Sequence, residues 1–505
     1  MQMRFERRRA RLSLAGVLVV ASGAGCAEIA GLQYIGEKET GGGAFSGPGY
    51  TCQWAMSFGD ADTRLGGIAA DRDGTLWLAG GFKGNIEVAG GEELRAGGDS
   101  EDVFVAHLAR DGNHLWSKRF GNAQNDSRTH VHRATSIALG GAGVYLAGDF
   151  TGSLSFGGDC GLPGEPGAEE TFLARIDKND PGGVATCVTR GSGDVDHAAG
   201  VAVDDNRVLV LTSLQGGESL GLSSYDGQTL GSPCDAVFPG LTGARFEPFG
   251  LRVSAGEAFV FSEFNGRVRL GFPGSQELLP PGGGPAQGTD AFVASFPSAW
   301  ICGASGDEGA QLRVQHYSPL PGDQHVASVS PHGAGVYVAG SFEGEIDLGG
   351  EPGGMPISSD GGKDGFLVSL DEGGGARWAQ HVEGGAVRWA QAVDSGAADQ
   401  VDEVVVAGPF RDRLELGGDV PPLRGEAGGE DFFLARFRGE DGALEWLGGV
   451  SGPGEQELQA LAVSGTDVFL AGTSSATFKL LNCEVEREEG QLFIAKLSIS
   501  SRPSR

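Results

Sequence analysis

Histidines and carboxylates gather in three polar segments of this 505-residue chain, and these residue types could do chemistry. Imidazole and carboxylate groups bind divalent metals and move protons in general acid–base catalysis. The candidate metal ligands are Asp126, His130 and His132, then Asp194, Asp196 and His197, then Asp307, Glu308, His316 and His325. Exposed polar loops have the same composition, and three separate segments carry these side chains, so we assign no metal or other cofactor.

A second set of carboxylates stands at the start of short apolar runs. Its members are Asp102, Glu170, Asp235, Asp290, Asp364 and Asp431. If these runs are equivalent strands, the carboxylates lie on one face of the fold. They could form an acidic ring there. Because the feature recurs from run to run, we favour a structural role, in which each carboxylate accepts hydrogen bonds from backbone N–H groups of neighbouring loops.

The apolar runs belong to a repeat that positions both sets of residues. One copy has a strand of small residues at 65–71, an apolar strand at 76–82, and further strands at 102–108 and 114–121, joined by tight turns. The apolar second strand occurs seven times, and its copies end at Gly80, Gly148, Ser213, Ser262, Gly340, Gly408 and Gly472. The third copy is the weakest, because Pro239 interrupts the third strand that we predict to begin at Asp235.

Four strands joined by hairpins form an antiparallel sheet, and seven such sheets predict an all-β fold, a seven-bladed β-propeller. Small residues dominate the first strands, as expected around a crowded axis. The predicted fourth strands carry bulk where blades diverge, at Trp116, Trp300, Trp378 and Trp446. Continuous apolar second strands suit sheets that are covered on both faces.

The seventh copy ends after its third strand, at 492–500, and lacks a fourth. Residues 51–59 (TCQWAMSFG) match residues 113–121 (NHLWSKRFG) in their Trp and terminal Phe-Gly. We therefore expect this N-terminal strand to pair with the last third strand and close the ring, which would hide strand edges from other chains.

The first 25 residues combine five arginines, an apolar run at 12–21 and small residues before Cys26, the pattern of a secretory signal. The apolar run is too short to span a membrane as a helix. The segment resembles a bacterial lipoprotein signal, which implies acylation of Cys26, while ordinary cleavage after Ala24 is the alternative. The predicted organisation is a signal peptide at 1–25, a lipid-anchored flexible linker at 26–49, the propeller at 50–500 and a tail at 501–505.

The formal net charge of −30 becomes about −34 without the signal, since five arginines and Glu6 are lost with it. A surface of this sign repels polyanions, so nucleic acid is excluded as a partner. Dispersed acidic residues also keep a protein soluble, which is the simpler interpretation of the charge.

The repeat resembles the bacterial β-propeller repeat of secreted and surface proteins. That repeat runs through a small strand, D-x-x-G-N-V-Y-V-T-G, a Phe-Gly stretch, D-x-F-V-A-K-L and G-N-L-L-W-S-K-x-F-G. Residues 76–82, 102–108 and 113–121 carry the likeness, which covers 51–500. It implies the fold and an envelope location, at the outer membrane or surface of a Gram-negative bacterium, and it specifies no ligand.

Six cysteines remain if Cys26 is acylated, an even number that suits an oxidising compartment. Six cysteines allow fifteen pairings, and the repeat frame narrows them. It predicts the pairs Cys160 with Cys187, Cys52 with Cys483, and Cys234 with Cys302. Free buried thiols are the alternative, and no C-x-x-C spacing supports a metal site.

Two classes of function remain open. The leading hypothesis is a monomeric, lipid-tethered, non-catalytic module that binds or scaffolds an unidentified protein or glycan. The alternative is a propeller enzyme, of the polysaccharide lyase or hydrolase type or metal-dependent, with its site at the central mouth. Histidine–carboxylate clusters that converge near the axis would favour the enzyme, whereas scattered positions at the rim would favour the module.

Overall fold

A computed structural model describes residues 49–499 and the two-residue strand Gln33–Tyr34. Within 49–499 the gaps are 60–61, 123–128, 142, 165–166, 181–185, 192–194, 232, 271–275, 279–288, 303–311, 318–321, 334, 350–354, 360, 394–402, 417–420, 426–428, 451 and 487–491. The signal peptide, Cys26, the tail and the candidates Asp126, Asp194, Asp307 and Glu308 therefore lie outside the described residues.

The described chain is all-β, as the sequence predicts, and its sheets are antiparallel. Its only helical segments are two 3₁₀ turns, Gln215–Gly217 and Ser298–Cys302. No helix among the described residues is long and apolar enough to cross a membrane.

The strands form seven successive sets of four, which we call units one to seven. Units one, two and seven are separate sheets, units three and four share one sheet, and pairing of Glu383 with Glu415 and of Gly385 with Phe410 joins units five and six in another. In units one to six the strands follow chain order from first to fourth. Unit one is Arg64–Ala70, Leu76–Phe82, Asp102–Leu108 and His114–Phe120. Unit two is His132–Gly140, Gly143–Thr151, Glu169–Ile176 and Thr186–Arg190. Unit five is Gln324–His332, Gly335–Phe342, Asp364–Asp371 and Ala376–Gly385. Unit six is Trp389–Val393, Glu403–Glu415, Asp431–Arg438 and Leu444–Val450.

Units three and four share one long strand, Cys234–Ser254. Unit three is His197–Asp204, Arg207–Leu214, Ser219–Asp226 and the first part of that strand, and unit four is its second part with Glu257–Leu270, Asp290–Pro297 and Arg313–Tyr317. The prediction that Asp235 begins a third strand was wrong, because Ser219–Asp226 takes that position. Pro239 lies where the long strand passes from one partner to the next, opposite Ser219, so it does not break the strand.

A second correction concerns the bulky residues of the fourth strands. Trp116, Trp378 and Trp446 lie on fourth strands, as the repeat predicts. Trp300 instead lies in the 3₁₀ turn Ser298–Cys302, because the chain turns before the fourth strand of unit four begins at Arg313. There it packs beside Phe296, with ring centroids 5.5 Å apart.

The N-terminal strand completes the last sheet. Tyr50–Phe58 pairs antiparallel with Leu492–Ile499, which pairs in turn with Asp467–Ser474 and then Gln456–Ser464. Asn482 reinforces this join, since its side chain accepts a hydrogen bond from Cys52 N and donates one to Cys52 O, both over 2.8 Å. The fourth strand of the last unit therefore comes from the N-terminal part of the chain, as the sequence predicts.

Short strands decorate the connections between second and third strands. They are Asn85–Ile86 with Leu94–Arg95, Ser153–Gly157 with Cys160–Pro163, Glu345–Asp347 with Pro356–Ser358, Phe478–Leu480 with Cys483–Val485, and the single strands Gln276–Leu278 and Leu423–Arg424. Gln33–Tyr34, within the predicted linker, pairs with Leu444–Val450.

The structure contains the same three disulfides that the repeat frame predicts. Cys52 is bonded to Cys483, Cys160 to Cys187 and Cys234 to Cys302. The first of them joins positions 431 residues apart, with Cα atoms at 5.8 Å. It therefore fastens the N-terminal strand to the last unit covalently.

The second strands are buried along nearly their whole length, which their continuous apolar sequence requires. The first strands enclose a cavity of about 650 Å³, to which all seven units contribute. We call it the first-strand cavity. Its walls are mostly alanine, glycine, valine, leucine and isoleucine, in agreement with the small residues expected for these strands.

Candidate functional site

A glycine near the end of the second strand sets the backbone at one end of the first-strand cavity. In unit one a Cβ on Gly80 would lie 2.0 Å from the carbonyl oxygen of Arg64, and on Gly340 of unit five 1.8 Å from that of His325. First strands bulge close to this contact, for example between Leu65 and Gly67. A bulge re-aims side chains at the end of a strand. The glycine therefore makes room for the close carbonyl contact at the start of the first strand, while the bulge itself also occurs in units three and four, which have no glycine at this position.

We call this end of the first-strand cavity the mouth. Two cavities lie there and share wall residues with the first-strand cavity. The larger, about 690 Å³, is formed by units one to four, and its charged wall residues are Arg64, Arg133, Asp149, His197, Arg245, Glu247 and Glu263. The other, about 670 Å³, is formed by units four to six and carries His325, Lys363, Arg388, Arg411 and Glu430. The mouth departs from the repeat, because equivalent positions hold different charges.

Asp149 and His197 form an oriented pair in the larger cavity. His197 Nδ1 lies 3.2 Å from Asp149 Oδ2, and Asp149 Oδ1 accepts a hydrogen bond from Ala198 N over 2.8 Å. The carboxylate is almost fully buried, with 4% of its side chain exposed, whereas 45% of the imidazole is exposed. The hydrogen bond to Asp149 is the main cause that raises the pKa of His197. A buried carboxylate that orients an accessible imidazole is an arrangement suited to proton transfer.

Arg133 and Glu169 adjoin this pair. Arg133 Nη2 donates to Glu169 Oε1 over 2.8 Å, and its Nε lies 3.8 Å from Asp149 Oδ2. Burial lowers the pKa of Arg133, but the hydrogen bond to Glu169 and the nearby carboxylates outweigh it and raise the pKa overall. The guanidinium thus supplies positive charge to both carboxylates.

Asp149, Glu169 and His197 also have the donor atoms of a metal site. One ligand atom from each lies within 4.8 Å of the others, and two carboxylates with an imidazole suit a divalent transition metal. Arg133, however, already shares its single positive charge between the two carboxylates, and His197 directs Nδ1 toward Asp149. The donor set fits a metal in type, while the resident guanidinium opposes a second cation by charge repulsion.

Glu263 and His325 repeat the pair two units further on. Glu263 occupies the position of Asp149 at the end of its second strand, and its Oε1 contacts His325 Nδ1. Phe249 meets the imidazole edge to face, with centroids 4.4 Å apart. The mouth therefore contains two imidazole–carboxylate pairs at equivalent positions.

A different environment surrounds the carboxylates that begin third strands. Asp102 is fully buried and accepts hydrogen bonds from Arg119 Nε at 2.5 Å and Gly97 N at 2.7 Å, with His132 Nδ1 at 3.1 Å. Burial alone would raise the pKa of Asp102, but these hydrogen bonds outweigh it and hold the pKa below its usual value. Asp102 is thus a structural anchor, which supports the hydrogen-bonding interpretation over an acidic ring.

Polar side chains of the same unit or of the neighbouring one also contact most other members of that set. Asp364 accepts hydrogen bonds from His381 and Gly384 N, Glu170 from Thr189, and Asp235 from Ser223 and Arg190, while Asp290 lies 3.5 Å from His316, and Asp431 is fully buried. We call Asp102, Asp290 and Asp364 with their histidine partners the outer pairs.

The structure separates the candidate histidines of the sequence into two groups. His130 and His132 are buried and stacked, with centroids 5.6 Å apart, and His316 belongs to an outer pair. Asp196 is buried and accepts a hydrogen bond from Gln215 N. His197 and His325 lie at the mouth.

Sequence reasoning missed Arg133, Asp149 and Glu169. A break in the repeat could have identified Asp149. It follows the glycine of the second strand, at the position where unit one has Gly81 and unit six has Pro409. Only the bulge and the neighbouring unit bring that position against His197.

No family model matches this chain, and no curated protein matches it. Among solved structures, a Synechocystis apocarotenoid oxygenase variant is 12% identical, with 83% of this chain and 87% of that one covered and a TM-score of 0.36. The cobalt-substituted form of that oxygenase is 14% identical over 84% and 88%, with a TM-score of 0.33. Kuenenia stuttgartiensis hydrazine synthase is 11% identical over 67% and 75%, with a TM-score of 0.33. These likenesses are too weak to carry an argument about fold or function.

Proposed function

We propose that the seven units stand around one axis as a seven-bladed β-propeller, closed by the N-terminal strand in the last blade. The support is the single cavity to which every first strand contributes, together with the pairing of Tyr50–Phe58 with Leu492–Ile499. Sheets repeated radially leave only short, protected edges, and sharing the last sheet between both chain ends closes such an arrangement.

The disulfide between Cys52 and Cys483, which fastens the N-terminal strand to the last unit, gives this proposal a test. Replacing both with serine should lower the free energy of unfolding by about 5 kcal/mol, because so long a loop is no longer closed in the unfolded chain. Urea unfolding of the oxidised protein measures the loss. The pair Cys160 and Cys187, only 27 residues apart, is the matched control and should cost less. Equal losses would show that Cys52 and Cys483 do not fasten the two ends of the chain together, a join that ring closure requires.

We further propose that the chain is an exported, lipid-anchored binding module, attached at Cys26 and monomeric, which takes a protein or glycan ligand at the mouth. The mouth cavities carry this proposal, because they are large, accessible and differ from unit to unit. Ligand sites are concave and contain a few converging polar groups. Residues that serve only to maintain the repeated fold would be expected to be the same in every unit.

The anchor and address have their own support and test. Three disulfides suit a compartment outside the cytoplasm. Growth of the source cells with a clickable palmitate analogue should label the protein through Cys26, and Cys26→Ala should abolish the label. Labelling that survives in this variant would contradict the anchor.

The binding proposal is tested on an array of bacterial envelope glycans with residues 27–505, compared with the double variant His197→Gln, Arg245→Glu. We expect binding that the double variant loses. Arg95→Glu is the control and should retain it, because Arg95 is exposed on a hairpin and lines neither mouth cavity. Binding that persists in the double variant would contradict a ligand site at the mouth, and an array without any signal would contradict the glycan class.

Asp149 and His197 favour a second candidate, a propeller enzyme with acid–base chemistry at the mouth. An accessible imidazole held by a buried carboxylate supports this alternative. Assays with uronate-containing and neutral polysaccharides, followed by reducing-end release and by absorbance of unsaturated products, should show turnover that His197→Gln abolishes. Turnover unchanged in His197→Gln would remove the pair from the reaction. Native mass spectrometry before and after chelation tests a metal on the same residues.

A further inference from the structure

Arg252 places a single positive charge in the wall of the first-strand cavity. Among the described residues that line the first-strand cavity, it is the only charged one. It lies on the long strand Cys234–Ser254, and four residues at about 3.3 Å each separate it from Pro248 at the mouth, so it stands roughly 13 Å inside. The polar groups that share the cavity are serine and threonine hydroxyls and the amides of Gln391 and Gln459.

The contacts of Arg252 supply no negative charge. Its Nη1 donates to the carbonyl oxygen of Leu251 over 2.9 Å, and its guanidinium carbon lies 6.0 Å from the Phe261 ring centroid. Burial lowers the pKa of Arg252, and no carboxylate of the described chain offsets this effect. Arginine nevertheless stays protonated in proteins, and the half-buried guanidinium of Arg252 keeps its positive charge without a carboxylate partner among the described residues. Its counter-charge is therefore supplied from the cavity.

The geometry also indicates the class of that partner. A guanidinium presents five N–H donors in a planar fork that matches the two oxygens of a carboxylate. One of them is used on Leu251, and the Phe261 ring lies nearby, so the other donors are left for a ligand.

We propose that the first-strand cavity binds a small oxyanion of the carboxylate class on Arg252. The site differs from the mouth in residues and depth, and it does not depend on the binding function proposed there. The carboxylate group alone suffices for binding, whether it is free or ends a longer ligand, so free acetate tests the site without any contact at the mouth.

The test uses residues 27–505 with the disulfides intact. Thermal unfolding is recorded at increasing acetate and at matched ionic strength in chloride, since a ligand that binds only the folded state raises Tm with its concentration. Wild type should gain stability with acetate beyond chloride, and Arg252→Met should not. Arg175→Met is the matched control, because Arg175 also donates from Nη1 to a carbonyl oxygen, that of Gln228, outside the cavity. It should respond as wild type does.

Saturation-transfer NMR with acetate gives a second readout that does not depend on stability. We expect a signal in wild type that is lost in Arg252→Met. If Arg252→Met does not fold, Arg252→Lys keeps the charge without the planar fork and should bind acetate about tenfold more weakly. An acetate response in Arg252→Met equal to that of wild type would overturn the site, and an equal response to chloride would overturn the carboxylate class. A wild type without any response to acetate would show that no free small carboxylate binds, which also overturns the proposal.

Discussion

The outer pairs and the two imidazole–carboxylate pairs at the mouth consist of the same residue types but have different roles. In the outer pair of Asp102 and His132 both side chains are fully buried, and the carboxylate also binds Arg119 and a backbone N–H group. At the mouth, Asp149 is equally buried, but its partner His197 reaches a cavity. Exposure alone does not separate the two kinds of pair, because the side chain of His381 in an outer pair is 32% exposed and that of His325 at the mouth 24%. The comparison teaches that a candidate functional pair is one whose imidazole lines a mouth cavity, as those of His197 and His325 do.

The largest effect should come from breaking an outer pair. Asp102→Ala removes the acceptor of several buried donors and should lower the free energy of unfolding by about 3–5 kcal/mol. Chemical denaturation measures the loss. Asp159 is exposed on the hairpin of unit two, and Asp159→Ala should change stability by less than about 0.5 kcal/mol. A loss in Asp102→Ala no greater than in the control would mean that the outer pairs are not anchors.

A smaller loss of stability is expected from a substitution at Arg133, which contacts both Asp149 and Glu169 at the mouth. Arg133→Met leaves Asp149 and Glu169 without their shared cation and should cost about 1–2 kcal/mol of stability. It should also raise the pKa of His197 further, because Arg133 is one of the groups that lower it. Denaturation and NMR titration of the same variant measure both. A pKa of His197 that falls in Arg133→Met would show that this guanidinium is not part of the cluster.

The smallest effect in free energy is the titration of the mouth histidine. The pKa of His197 is raised by its hydrogen bond to Asp149, whereas burial against Trp77 lowers the pKa of His107. His197 therefore stabilises the fold below its ordinary pKa of about 6.5, and this contribution disappears as the pH rises through its higher folded value. His107 has the opposite sign, and it destabilises the fold as the pH falls below about 6.5.

NMR titration of the imidazole Cε1–H signals tests this contrast. His197 should titrate above the ordinary value and His107 below it. In Asp149→Asn the pKa of His197 should return toward the ordinary value, while that of His107 should not move. The same pKa for His197 in both proteins would show that Asp149 does not orient it.

Much of the fold could be predicted from the sequence because its signals are local. Alternating turns and apolar runs predicted the strands, the Trp and Phe-Gly at 51–59 predicted the N-terminal strand that completes the last sheet, and the repeat frame predicted all three disulfide pairs. Unit three was mispredicted because Gln215–Gly217 makes a tight turn where other units have a long excursion, so the strand Ser219–Asp226 follows earlier than the repeat suggests.

The candidate site was harder to predict, since it depends on contacts between units. His197 was identified from its residue type, but Arg133, Asp149 and Glu169 are joined to it only through a bulge and the packing of unit two against unit three. Arg252 gave no sequence signal either, because nothing in its strand shows that the cavity around it lacks a carboxylate.

The most direct test of the central claim, that the mouth and not the outer pairs forms the functional surface, is an experimental structure of the protein purified from its source cells without chelators. We predict seven sheets around one axis and a bound molecule in the mouth cavities that contacts His197 or Arg245. A ligand on the outer edge with nothing bound at the mouth, or sheets that do not surround a single axis, would contradict the account.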